Sequence, residues 1–175
     1  NSLTKTEYIH AGGTALPFFE GFEVESIDQS NWTIENPDGA ITWDIATVAG
    51  ASSGDKASYM NMINYQGFGK RDRLMSPALN LSGFDNLSLT FDHAYALRYM
   101  QFDSLIVYIS DDCGDNWTRI FANGPDGLGA FETSPATNEP FIPQSADDWC
   151  GVGYGSECTT IDLSNWIGST NVKIM

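Results

Sequence analysis

The sequence predicts an all-β protein, a jelly-roll β-sandwich, and three observations carry that prediction. Short runs of alternating apolar and polar residues recur along the chain. Clusters of Gly, Pro, Asn, Asp and Ser separate them. No stretch carries a sustained i, i+3, i+4, i+7 apolar stripe. Alternation marks half-buried strands and the turn residues mark their ends, whereas amphipathic helices need the longer period. Many short strands punctuated in this way indicate a sandwich or jelly roll.

In chain order, "LTKTEYIH" alternates and reads as a strand, with "AGGTALP" as a linker after it. "FFEGFE", "WTIEN", "ITWDIATV", "ASYMNMINY" and "RLMSPALNL" follow as short strands. "LSLTFDHAYAL" places Leu87, Leu89 and Phe91 on one side, so that side faces the core. "SLIVYIS" is almost continuously apolar and is expected to be a central strand. "WTRIFA", "TTIDLS" and "NVKIM" complete the series. Between Asn123 and Ala146 the pattern lapses into Gly and Pro, which predicts a long surface loop or irregular crossover, continued through Glu157.

Composition narrows the function classes. The 175 residues suit one domain, or a domain plus a fragment, and 42% hydrophobic content is enough for a core. A net charge of -15 repels phosphate backbones and anionic headgroups, so nucleic acid and membrane are poor partners. The same charge suits divalent cations, for which carboxylates are the preferred ligands. No apolar run approaches the roughly 20 residues of a membrane span. The chain opens without Met or a signal-peptide pattern and closes within the strand "STNVKIM", as expected of an internal piece of a longer precursor.

Cys113, Cys150 and Cys158 leave one thiol over. "CGVGYGSEC" is short and Gly-rich, so Cys150–Cys158 is the first choice of pairing; a bridge from Cys113 to either is the alternative. A disulfide implies an oxidising compartment, hence a secreted or cell-surface location. The same loop region carries Trp149, Tyr154 and Phe141, candidate stacking residues for a ligand. Trp32, Trp43 and Trp117 are assigned to core packing instead, and Trp166 fits either role.

"SDDCGDNW" fits the spacing S-x-D-x-G-x-x-W and resembles the Asp-box of sialidases and many secreted β-proteins. It stands between "SLIVYIS" and "WTRIFA", which is a hairpin context. Asp111 and Asp112 can accept loop amides, Gly114 can take positive φ, and Trp117 can cover the turn. A sialidase also needs clustered Arg and repeated blades; here Lys and Arg total 8 and the box occurs once. The box is therefore expected to be a turn.

The longer succession is more specific. "PFFEGFE", "NWTIEN", "ITWDIA", "RLMSPALNLSGFDNLSLTFDHAYAL", "FDSLIVYISDDCGDNW" and "TTIDLSNWIGSTNVKIM" resemble the MAM-like jelly-roll modules of secreted Bacteroidetes-type proteins. The similarity spans about residues 17 to 175. It is greatest to the module after the catalytic domain of pappalysin-type metallopeptidases, and more distant to gingipain adhesin modules. "NSLTKTEYI" resembles the closing strand of a PKD domain, which implies a boundary at residue 13 and a module over residues 14–175. The family closes with a further strand pair beyond the position of Met175, so this chain is expected to lack its final strands.

The resemblance implies a non-catalytic accessory or adhesin-like module. It would bind a carbohydrate or protein surface or steady neighbouring domains of one precursor, expected to be a zinc metallopeptidase. It also implies a structural calcium, with Glu23 of "FFEGFE" as a ligand; Asp55 in "SSGDKAS" is a loop carboxylate that could complete the shell, and Asp103 matches an acidic position before the central strand, for which capping that strand is an equal explanation. The alternative is a fragment of a secreted hydrolase with its own glycosidase or peptidase activity. Against it, His10 and His93 are far apart and no H-E-x-x-H is present. Glu20 with Glu23, and Asp147 with Asp148, are only nominal carboxylate pairs. No catalytic residue is assigned.

Overall fold

A computed structural model describes residues 13–65, 68–98, 102–124, 131–154 and 157–175. The strand predicted at the start, with His10 and the PKD-like segment, lies outside the described residues. The rest is an all-β fold of several small sheets, consistent with a sandwich. The strands are β1 (Thr33–Glu35), β2 (Asp44–Thr47), β3 (Lys56–Tyr59), β4 (Arg73–Met75), β5 (Ser88–Phe91), β6 (Ala96–Arg98), β7 (Leu105–Ser110), β8 (Thr118–Asn123), β9 (Ser134–Thr137), β10 (Thr159–Asp162) and β11 (Lys173–Ile174).

One layer is organised around β7, between β8 and β11 and antiparallel to both. Its apolar run fits that place, because a central strand has two neighbours and a core face. Beyond β11 the sheet is carried on by Leu79, which bridges Val172 on one side and Thr14 on the other. The stretch read as a linker thus joins the body, with the Gly13 amide also donating to the Thr170 carbonyl.

The second layer contains β5 and β10, antiparallel, with Ile161 opposite Leu89 and Asp162 opposite Ser88. Its continuation, β6, pairs in parallel with β9. Leu79, Leu81, Val107, Ile109, Val172 and Ile174 from the first layer meet Ile161 and Leu163 from the second. Leu87, Leu89 and Phe91 pack against this cluster on the predicted face, and Trp166 joins them. Two further pairs, β1–β4 and the β2–β3 hairpin, complete the fold.

Two sequence expectations are corrected. "FFEGFE" is not a strand: Glu20 Oε1 accepts the Phe22 amide at 2.7 Å, Phe22 takes φ +57°, and its ring packs on Trp32 at 5.5 Å. A local carboxylate-to-backbone bond offers the chain an alternative to a ladder, and here it wins. The region from Asn123 to Ala146 is not wholly loop, because it contains β9.

Candidate functional site

One predicted site residue, Glu23, lies at the tip of the β2–β3 hairpin. Lys56 donates its amide to Glu23 Oε1 at 3.1 Å, and its ammonium is paired with Glu25. Gly54, at φ +67°, lies so close that a Cβ there would fall 1.8 Å from Glu23 Oε1. Only glycine allows both that backbone angle and that approach. The Glu23 carboxylate is therefore seated against the turn that carries Asp55. Asp103 does not join them: its carboxylate accepts the Tyr95 hydroxyl at 3.0 Å, and Tyr95 stacks on Phe131 at 4.2 Å. Burial raises the Asp103 pKa, with Tyr95 and Arg98 opposing it.

The other flank of the hairpin holds the long loop. Ala49 donates its amide to the Pro143 carbonyl at 3.0 Å and accepts the Trp149 indole N–H at 2.9 Å. Gly50 meets the loop backbone directly, since a Cβ there would lie 2.1 Å from the Ala146 nitrogen. Trp149 is thus half-buried and tethered, Phe141 is half-buried, and Tyr154 stands out at 64% exposure. The three do not form one open platform; Tyr154 is the accessible ring among them.

The Cys150–Cys158 disulfide is present, and Cys113 is free and exposed on the box, which removes the alternative pairing. Cys150 is buried and its amide donates to the His93 carbonyl at 3.0 Å, so the bridge pins the loop to the segment between β5 and β6. Thr133, fully buried, accepts the Tyr95 amide at 2.8 Å and donates to the Asp148 carbonyl at 2.7 Å. His93 Nε2 lies 3.1 Å from the Phe131 carbonyl, and burial lowers its pKa. Among the described residues, the one cluster of three potential metal-ligating side chains is Asp92 with these two sulfurs, and bonded sulfurs are not thiolate ligands.

In the Asp-box, Asp112 rather than Asp111 organises the turn. It accepts the Ser110 hydroxyl at 2.7 Å, the Asn116 amide at 2.9 Å and the Asn116 side chain at 2.6 Å. Ser110 Oγ in turn accepts the Gly114 amide at 2.8 Å. These donors favour the charged form and take the Asp112 pKa down to about 2, the Asn116 amide contributing most. A carboxylate depressed in the folded state stabilises above its unfolded pKa of 3.8 and loses that contribution as pH falls toward about 2. Asp112→Asn is expected to lower the melting temperature at neutral pH and flatten the acid limb of the stability curve. Asp111→Asn is expected to do neither; equal melts for wild type and Asp112→Asn would refute the assignment.

No protein-family model, curated protein or solved structure matches the chain.

Proposed function

We propose that the chain is a non-catalytic accessory module of a secreted or cell-surface multidomain protein, of the MAM-like jelly-roll kind that accompanies pappalysin-type metallopeptidases. Its role is to bind a carbohydrate or protein surface or to steady neighbouring domains. The observation that carries this reading is the Glu23 carboxylate seated against the Gly54–Asp55 turn. It links the segment before β1 to the β2–β3 hairpin, as a structural cation site does. The polar groups most suggestive of chemistry have structural partners: Asp112 in its turn, Asp103 under Tyr95, and Asp148, which accepts the Gln144 and Ser145 amides.

Calcium suits the donors at this tip. Glu23 and Asp55 are hard oxygen ligands, and carbonyls of the Ser53–Asp55 turn belong to the same class. Calcium takes 6–8 oxygens and would supply charge neutralisation and rigidity here, with no part in a reaction. Asp103 does not belong to this set.

A ligand that binds only the folded state stabilises it by about 2.7 kcal/mol at a hundredfold excess over its dissociation constant. Chelation is therefore expected to lower the melting temperature and added calcium to restore it. Glu23→Gln blunts the response by removing a charged ligand at constant size. Identical wild-type melts with and without chelator would remove calcium from the proposal. Turnover of casein, gelatin or sialyl substrates by contaminant-free protein would overturn the non-catalytic reading itself.

A further inference from the structure

We infer that the solvent face of the β5–β10 pair is a binding groove for neutral carbohydrate. The inference rests on the accessory-module reading and assigns it a ligand class and a place. An open groove of about 400 Å³ runs along this pair, lined by Asn86, Leu87, Ser88, Thr160 and Asp162. All but Leu87 are polar, and they converge because of strand geometry. Side chains two apart on a strand share a face, so Asn86 falls in line with Ser88, and Thr160 with Asp162. The register sets Asp162 directly opposite Ser88 and Thr160 opposite Thr90. Facing pairs stand about 5 Å apart. The result is a patch of amide, hydroxyl and carboxylate groups on a sheet whose other face is core.

This donor and acceptor set fits a polyol better than other small ligands. A carboxylate accepts from two adjacent hydroxyls, an amide both donates and accepts, and Ser and Thr hydroxyls adjust to either role. The Asp162 carboxylate is preorganised to accept from a ligand. Its Oδ1 accepts the Ser164 amide at 2.9 Å and the Ser164 hydroxyl as well, which leaves Oδ2 for other donors. The same bonds hold its carboxyl below the usual range, so it remains an acceptor across the neutral region. Among the described residues the groove lining contains no cation, and the chain carries a net charge of -15, so anionic sugars are disfavoured. The lining has no aromatic ring among the described residues, so affinity comes from hydrogen bonds.

The test is titration of the isotopically labelled full chain, followed by amide resonances, with cellobiose, mannobiose, lactose and N,N′-diacetylchitobiose. Saturable shifts confined to residues 86–90 and 159–164 are expected with at least one sugar. Asp162→Asn should weaken binding about tenfold, the loss of one charged hydrogen bond. Thr160→Arg, which fills the groove from an exposed position, should abolish it without moving the melting temperature. Sialyllactose is expected to bind no better than lactose. No shift with any of the four sugars, or shifts centred on Tyr154 and the disulfide loop, would refute the groove and leave the accessory-module reading standing. Hydrolysis of a sugar during the titration would sink that reading instead.

Discussion

Ile109→Ala is expected to lower unfolding stability by about 3–4 kcal/mol, the cost of the lost transfer free energy plus the cavity left behind. Ile109 is 1% exposed on β7 and sits in the cluster where both layers meet. Its neighbours belong to paired strands that cannot close over the void. At a few degrees per kcal/mol for a chain of this size, the melting temperature should fall by about 10 °C. Denaturant melts of the two forms decide the matter. A change below about 1 kcal/mol would show that the core is not centred on β7.

Replacing both Cys150 and Cys158 by Ser is expected to cost about 2.5 kcal/mol, from the loop-closure entropy of a short bridge. The loss should be concentrated locally. The bridge fixes the loop against the His93 carbonyl, and that loop is what Ala49 and Gly50 contact. Limited proteolysis of the double variant is therefore expected to cut between residues 138 and 158 first, while amides of β7 and β11 keep their exchange protection. Uniform loss of protection across the chain would contradict this local role.

Much of the strand order was legible because alternation is a local property. Leu87, Leu89 and Phe91 declare their face through spacing alone, and the apolar run of β7 declares its central position. The disulfide was legible because its two cysteines are near in sequence and the glycines between them permit closure. β9 was hidden: "SPAT" contains Pro135 in a Gly- and Pro-rich stretch, and its pairing with β6 is a parallel, long-range contact. "FFEGFE" misled because aromatic residues favour strands, yet a carboxylate bond to the backbone and ring packing fix it as irregular backbone. Within the site, Glu23 lies against Gly54 and the Lys56 amide, the two residues that flank Asp55. The Asp103 carboxylate accepts the Tyr95 hydroxyl, a partner that nothing in the local spacing announces. The groove on β5 and β10 carried no sequence signal, since Ser, Thr and Asp on a strand read as an ordinary wet face.

The position of β11 has a consequence for how the protein reaches its structure. Val172 and Ile174 separate the Leu79 segment from β7, and the bonds that close this sheet run through them. During vectorial synthesis both flanking segments emerge long before the strand that belongs between them. Until it arrives they expose matching ladders with no correct neighbour, and pairing them directly would trap a register that must later be undone. Long-range pairing of this kind places the rate-limiting search late and puts refolding in the millisecond-to-second range of all-β chains. The β11 segment thus acts as the keystone of assembly, and the nascent chain stays vulnerable to strand exchange until it is in place.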